Sequence, residues 1–304
     1  MTVRRTALAC LVVLFLATSL AAQDLKLPNK EGTVKFALIG DTGTGSRAQN
    51  EVGAQMATFR KRFPFTFVVM VGDNMYGSQR APDFVTKFEG PYKDLLAAGV
   101  RFYAALGNHD EPGQKNYQHF NMGGERFYAF RANAKDVGTK VDKGVRFYAL
   151  DSNYMDKAQL DWIEKQLSAK DDDWKICFFH HPLYSSASKH GSALDLRKAL
   201  EPLFIQYKVD VVFAGHEHVY ERIKPQQGVN YIVSGAGGTL RKGDLRRPSQ
   251  YTEVGFDQDY HFMLFEIDGD DLHFQAISRT GSTVDSGSIK RGAAAAAKQE
   301  ATKP

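Results

Sequence analysis

The feature that most constrains this chain is a series of short apolar segments, rich in β-branched and aromatic residues, that are separated by polar or helix-forming stretches. The segments are Val34–Ile39, Phe65–Val71, Val100–Leu106, Val145–Leu150, Trp174–Phe179, Val209–Ala214 and Tyr231–Val233. Such segments are typical of strands that are buried on both faces. Apolar residues recur at helical spacing in Asp156–Ala169 and Ser192–Lys208. The segments His261–Ile267 and Leu272–Ser278, on either side of Gly269, predict a hairpin. Strands that alternate with helices predict a layered α/β protein in which helices cover the sheet.

The carboxyl ends of five predicted strands carry closely spaced polar residues. The five segments are Gly40-Asp41-Thr42-Gly43, Gly72-Asp73-Asn74-Met75-Tyr76, Gly107-Asn108-His109-Asp110, His180-His181-Pro182 and Gly215-His216-Glu217-His218. The carboxyl ends of strands line the ligand crevice of open α/β sheets, so we expect these side chains to meet at one place. Any one of these segments alone is more typical of a turn or a helix cap, and their joint occurrence favours a functional site.

The residue types in these segments indicate a metal site. Imidazole, carboxylate, carboxamide and phenol groups are ligands of hard or borderline ions. They are too numerous for one tetrahedral ion and suit two ions that share a carboxylate and clamp a phosphate. A phenol, with a reference pKa of about 10, favours a strongly Lewis-acidic ion such as Fe³⁺, which would explain Tyr76.

A dinucleotide-binding site is the competing interpretation of the first segment. Gly43, Gly45 and Ala48 follow a predicted strand and precede a helical pattern, as in the glycine-rich fingerprint of nicotinamide and flavin proteins. In such a site Asp41 would repel the pyrophosphate, and Asn108 and the histidines would have no role. The metal site is therefore favoured.

The net charge and the terminal segments of the sequence indicate which partners and which cellular compartment to expect. The 304 residues carry a formal net charge of +4, which gives no reason to expect a nucleic-acid partner. Arg4 and Arg5 precede the apolar run Ala7–Ala22, which is typical of a secretory signal peptide and short for a membrane span. We expect a signal peptide over residues 1–22, a single catalytic domain over 32–290 and a disordered tail over 291–304. Export to the periplasm or the medium follows, without stable membrane association after cleavage.

Taken in order, the motifs GDTG, GDNMY, GNHD, FHHP and GHEH resemble those of the calcineurin-like metallophosphoesterases. Tyr76 makes the chain similar to the small, tartrate-resistant type of purple acid phosphatase within that superfamily. The resemblance implies a layered β-sandwich with helices on both outer faces and an active site at the carboxyl ends of the strands.

The resemblance also implies roles for individual residues. Fe³⁺ would be held at Asp41, Asp73, Tyr76 and His218, and a divalent ion (Fe, Zn or Mn) at Asp73, Asn108, His180 and His216, with Asp73 bridging. His109 would protonate or orient the leaving alcohol, and Asp110 would hold the His109 ring in the right tautomer. His190 would be a second histidine that faces the substrate.

The expected function is hydrolysis of small phosphate monoesters by a metal-bound hydroxide, as in an acid phosphatase. Two alternatives stay open at this point. The same metal centre could serve a phosphodiesterase, or the chain could be a phosphate-binding protein without turnover.

Overall fold

A computed structural model describes residues 24–169 and 174–292. The expected signal peptide, residues 1–22, lies outside this part of the chain, as does all but the beginning of the expected tail. The signal peptide, the domain limits and the disordered tail therefore stay predictions. None of the helices in the described residues combines the length and apolar character needed to cross a bilayer.

Each predicted apolar segment contains or overlaps a strand, and further strands lie outside these segments. They are β1 (Val34–Ile39), β2 (Phe67–Met70), β3 (Arg101–Ala104), β4 (Tyr128–Ala132), β5 (Val137–Gly138), β6 (Val145–Ala149), β7 (Lys175–Phe178), β8 (Val211–Ala214), β9 (Tyr220–Ile223), β10 (Asn230–Ser234), β11 (Thr252–Phe256), β12 (His261–Asp268), β13 (Asp271–Ser278) and β14 (Thr283–Lys290). The α-helices are α1 (Arg47–Arg60), α2 (Ala81–Phe84), α3 (Lys93–Ala97), α4 (Lys157–Leu167) and α5 (Leu194–Gln206). A π-helical turn covers Val85–Glu89, and short 3₁₀ turns cover Pro112–Asn116 and Gln118–Phe120.

These strands form two sheets. One has the order β14-β13-β12-β1-β2-β3, and the other has the order β11-β9-β10-β8-β7-β6-β4-β5. In the first sheet β1, β2 and β3 run parallel, and in the second β6, β7, β8 and β10 run parallel. Each sheet therefore delivers the carboxyl ends of several neighbouring strands to one edge.

Aromatic side chains fill the space between the two sheets. The Phe36 ring of β1 stacks on Phe67 and Phe265 of its own sheet, with ring centroids 5.3 and 4.8 Å away. It also meets Phe147 of β6, in the opposite sheet, at 5.2 Å. These contacts bury large apolar surfaces, which is the main stabilising contribution in a sandwich of this kind.

Helices cover the outer face of each sheet. Phe59 of α1 packs on Phe262 of β12, outside the first sheet, with ring centroids 5.9 Å apart. Ile163 of α4 and Leu200 of α5 join a second apolar cluster with Cys177 on the outside of the other sheet. The predicted fold class, an α/β sandwich with helices on both outer faces, is confirmed.

Candidate metal centre

All five polar segments follow a strand and lie at one end of the sandwich. The segments at Asp41, Asp73 and Asn108 follow β1, β2 and β3 of the first sheet, and those at His180 and His216 follow β7 and β8 of the second. The two sheets therefore contribute side chains from opposite sides. The site is built across the sandwich, which explains how residues far apart in sequence meet.

The first group of donor atoms surrounds the Tyr76 hydroxyl. This oxygen lies 2.9 Å from Asp73 Oδ2, 3.3 Å from Asp41 Oδ1 and 3.2 Å from His218 Nε2. His218 Nε2 is itself 3.4 Å from Asp41 Oδ1. These are the four side chains that were expected to hold one ion, and their donor atoms converge on a single point.

The second group surrounds His180 Nε2. This nitrogen lies 3.0 Å from Asn108 Oδ1, 3.1 Å from His216 Nδ1 and 3.4 Å from Asp73 Oδ1. Asp73 therefore faces the first group through one carboxylate oxygen and the second group through the other. The structure brings all seven predicted ligands together in two groups that share Asp73.

The chemistry of these donors fits cations. His180 Nδ1 is 3.0 Å from the Val71 carbonyl oxygen and must donate its proton there, so the neutral ring presents a lone pair at Nε2. That lone pair faces the oxygens of Asn108 and Asp73, which are also acceptors. Three acceptors in contact repel one another unless a positive ion lies between them.

The pKa shifts of the donor groups also fit a site that binds cations. Burial, and then the neighbouring Asp73, raise the pKa of Asp41 well above its usual value. Burial and the two carboxylates also raise the pKa of the Tyr76 phenol. Burial is the main cause that lowers the pKa of His216 to about 2 and that of His218 to about 4, so both imidazoles are neutral. Bound cations would reverse the shifts of the carboxyl and phenol groups by favouring their ionised forms.

The backbone at the site adopts unusual conformations. Asp41, Asp73 and His216 have φ values of 54°, 49° and 68°, in the left-handed region that few non-glycine residues occupy. Such conformations cost about 1–3 kcal/mol each and are concentrated at functional sites. Gly107 is needed for a different reason, because a Cβ there would lie 2.2 Å from Asp73 Oδ1.

His109 and His190 both lie at the rim of the centre. The His109 backbone N–H donates to Asp73 Oδ1 at 2.9 Å, and its exposed ring lies 4.8 Å from the Tyr76 ring. The His190 ring stacks on His216, with centroids 4.3 Å apart. Both rings are placed where they can meet a bound substrate, and their catalytic roles stay predictions.

Asp110 does not make the contact expected of it. Its carboxylate accepts hydrogen bonds from the backbone N–H groups of Gly107, Asn74 and Met75 at 2.8–3.1 Å and from the Gln114 side chain at 2.7 Å. These donors occupy both carboxylate oxygens, and no hydrogen bond joins Asp110 to the His109 ring within the described residues. Asp110 therefore ties the loop after β2 to the loop after β3 instead of orienting His109.

The structure also brings in residues that the sequence interpretation passed over. His181 lies beside the second group, with its ring centroid 4.4 Å from that of His216. Its Nδ1 is 2.8 Å from the hydroxyl of Ser152, which follows β6. The sequence could have indicated the role of Ser152, because Asp151-Ser152-Asn153 is a sixth polar segment at a strand end.

Glu217 is a second such residue. It is fully buried, it lies between His216 and His218 in the sequence, and its Oε1 accepts the Gly191 backbone N–H at 2.5 Å. Arg241 Nη1 lies 3.5 Å from its other oxygen. Glu217 thereby fixes the loop that carries His190 against the strand end that carries His216 and His218.

The sequence of this chain matches a known family over the strands and loops that supply the site. The family model of the calcineurin-like phosphoesterases matches residues 34–220, which include all seven predicted metal ligands. The chain belongs to the calcineurin-like phosphoesterase family. It is therefore an enzyme that hydrolyses phosphoric esters with the help of metal ions, as the sequence motifs predicted.

Relatives and solved structures place the chain within this family. It is 28% identical to tartrate-resistant acid phosphatase type 5 of Oryctolagus cuniculus over 257 residues, which are 71% of this chain and 78% of that protein. It is 28% identical to purple acid phosphatase 3 of Arabidopsis thaliana over 270 residues, covering 77% of this chain and 72% of that protein. The purple acid phosphatase PPD1 of yellow lupin (Lupinus luteus) shares the fold, with a TM-score of 0.68, 20% identity, and coverage of 87% of this chain and 55% of the other.

Proposed function

We propose that this phosphoesterase is an acid phosphatase that hydrolyses small phosphate monoesters at a centre of two metal ions. The observation that carries the proposal is the position of Asp73. Its Oδ2 contacts Tyr76 in one group of donors, and its Oδ1 faces His180 in the other. A carboxylate between two groups of ligands is the arrangement that holds paired ions in phosphate-ester hydrolases.

The donor sets differ, and we propose different ions for them. The first group, Asp41, Asp73, Tyr76 and His218, contains the phenol and would hold Fe³⁺, because a strongly Lewis-acidic ion favours the phenolate. The second group, Asp73, Asn108, His180 and His216, contains two imidazoles and an amide, which suit a divalent Fe, Zn or Mn ion. The acid phosphatases among the relatives support this choice.

When bound, the ions would supply Lewis acidity toward the phosphate oxygens and lower the pKa of a coordinated water. The side chains around the ions would position the substrate and supply the proton for the leaving group. His109 lies exposed beside Tyr76, where its ring can deliver a proton to the departing alcohol. Its backbone N–H donates to Asp73, which holds the main chain of His109 beside the centre.

His190 is proposed to bind the phosphate group from the other side. Its ring stacks on His216, and the adjacent Gly191 is anchored to Glu217. The two exposed histidines, one beside Tyr76 and the other beside His216, would then both contact the substrate. Two such contacts would orient the ester for in-line attack.

Export of the enzyme is part of the proposal. It rests on the basic start and apolar run of residues 1–22, which are typical of a secretory signal. The expected partners are small phosphorylated molecules in the periplasm or the medium.

Visible absorption tests the proposed centre. Iron-loaded protein should show a charge-transfer band from the Tyr76 phenolate, and Tyr76→Phe should remove it. Tyr207→Phe, at the end of α5 and far from the centre, should keep the band. An iron-loaded wild-type protein without colour would contradict the Fe³⁺ assignment.

Steady-state assays test the substrate class. Hydrolysis of an aryl phosphate monoester should exceed that of the corresponding bis-ester, with an optimum below pH 7. A preference for the bis-ester would instead support a phosphodiesterase, and no turnover of either by the metal-loaded protein would support phosphate binding alone.

A further inference from the structure

A cleft of about 650 Å³ opens directly beside the second group of donors. Asn108 and His181 line its inner end, and Tyr154, Leu196 and Pro112 contribute apolar surface elsewhere. The other metal-ligand side chains do not line it. The cleft therefore adjoins the proposed centre through Asn108 and extends beyond it.

The inner end of the cleft presents a fixed hydrogen-bond donor. Ser152 Oγ accepts the backbone N–H of His181 at 3.0 Å and lies 2.8 Å from His181 Nδ1. Among the described residues the Ser152 hydroxyl has no other acceptor, so its proton is directed to Nδ1. The His181 ring then carries its own proton at Nε2, which makes no hydrogen bond within the described part of the chain.

The cleft is also lined by an aromatic ring on an anchored backbone. The Tyr154 side chain is 67% exposed, the largest value among the exposed large hydrophobic residues in the described ranges. Its carbonyl oxygen accepts hydrogen bonds from Arg126 Nη1 at 2.7 Å and from Gln159 Nε2 at 3.1 Å. Arg126 is in turn paired with Asp156. An exposed ring on a fixed backbone offers a flat binding surface at little entropic cost.

We propose that this cleft is the leaving-group subsite of the enzyme and that it selects phosphomonoesters of ring-bearing alcohols. The Tyr154 ring stacks on the ring of the alcohol, and the His181 N–H donates to the ester or phosphoryl oxygen where the substrate enters the cleft. The proposal rests on the proposed phosphatase function and adds the substrate class.

Binding of inert phosphonates tests the subsite without turnover. Calorimetry on metal-loaded protein should show that Tyr154→Ala weakens phenylphosphonate binding about five- to tenfold and leaves methylphosphonate binding unchanged. Ile205→Ala, which removes an exposed apolar side chain on α5 outside the cleft, should change neither. Equal effects of Tyr154→Ala on both phosphonates, or no effect, would overturn the proposal.

The His181 donor has its own test. His181→Phe keeps a ring of similar size and should lower kcat/KM for phenyl phosphate about tenfold or more, with the metal content unchanged. Loss of an ion in this variant would show that His181 is a ligand and would overturn its role as a donor. A normal kcat/KM would overturn it as well.

Wild-type turnover separates the subsite from the proposed function. If the wild type hydrolyses no monoester, the proposed function fails. If it hydrolyses phenyl phosphate and glycerol phosphate and Tyr154→Ala leaves the ratio of their kcat/KM values unchanged, only the subsite fails.

Discussion

Single residues around Asp73 have almost no room to change. Gly107 precedes Asn108, and a Cβ at this position would lie 2.2 Å from both the backbone nitrogen and Oδ1 of Asp73. A contact that short forces the backbone to move. The Asp73 carboxylate, which faces both groups of donor atoms, would move with it, so Gly107 helps to set the geometry of the site.

Gly107→Ala should therefore lower activity at least about a hundredfold, because displacement of a reacting group by about 1 Å has that effect. The free energy of unfolding should also fall by about 1–3 kcal/mol from overpacking. Gly113→Ala is the matched control, since a Cβ there meets nothing within 4 Å. Kinetics and urea unfolding of both variants check the prediction, and similar behaviour of the two would contradict it.

Asp110 shows where residue-level prediction from the sequence stopped. The sequence placed it next to His109, and a carboxylate that orients the ring was a reasonable expectation. The structure instead surrounds the carboxylate with backbone donors from Gly107, Asn74 and Met75. Which way a side chain points in a tight turn depends on these tertiary partners, and the motif alone does not contain that information.

Asp110→Asn should destabilise the site without altering the catalytic proton transfer. The amide NH₂ would face backbone N–H groups, and each donor left without an acceptor costs about 1–3 kcal/mol. We expect weaker metal retention and a lower free energy of unfolding. The shape of the kcat–pH profile of the fully loaded variant should match the wild type. A changed profile would restore the role of orienting His109.

At the scale of elements, most strands could be predicted because they are buried and apolar. β1 matches its predicted bounds, and β2, β3, β7 and β8 lie within theirs. The hairpin of β12 and β13 was also predicted. The sequence interpretation missed β4, β5, β9, β11 and β14. β9 follows directly after the GHEH motif, and β14 is an edge strand with mostly exposed, polar residues. Strand pairing at a sheet edge depends on residues that are far apart in sequence, so the apolar pattern of one segment does not predict it.

The two sheets are joined near the site by a buried histidine. His261 begins β12, and its Nε2 lies 3.0 Å from the hydroxyl of Ser234, which ends β10 in the other sheet. Burial lowers the pKa of His261 to about 3, from 6.5 for the free side chain. The native state keeps the ring neutral while the unfolded chain takes up a proton below pH 6.5. The neutral, buried ring of His261 therefore contributes to the free energy of unfolding near neutral pH. This contribution is lost as the pH falls from 6.5 toward 3.

His261→Asn should flatten that dependence. One proton changes the free energy of unfolding by about 1.4 kcal/mol per pH unit, so the wild type should lose about 2 kcal/mol more than the variant between pH 6.5 and pH 5. Urea unfolding of metal-free protein at the two pH values checks this. Equal losses in both proteins would contradict it.

For the molecule as a whole, the centre is a product of the entire topology. The seven predicted ligands extend from Asp41 to His218, and the two sheets supply them from opposite sides. Their types and strand-end positions could be predicted from the sequence. Which donors share which group depends on the packing of one sheet on the other, and the sequence offered that only through a family resemblance.

Removal of metal should accordingly weaken the whole fold. Ions that bind only the folded state, at a hundredfold excess over Kd, add about 2.7 kcal/mol to its stability. For a chain of this size, a chelator should lower the Tm by about 5–10 °C. Asp73→Asn should show a smaller drop, whereas Asp161→Asn on the surface of α4 should behave as the wild type. An unchanged Tm in the wild type would contradict this prediction.

The most direct measurement is anomalous X-ray diffraction from crystals of metal-loaded protein. We predict two peaks about 3.5–4 Å apart, one on each side of the Asp73 carboxylate. The peak beside Tyr76 should show the iron absorption edge. A single peak, or two peaks that do not both contact Asp73, would contradict the two-ion centre.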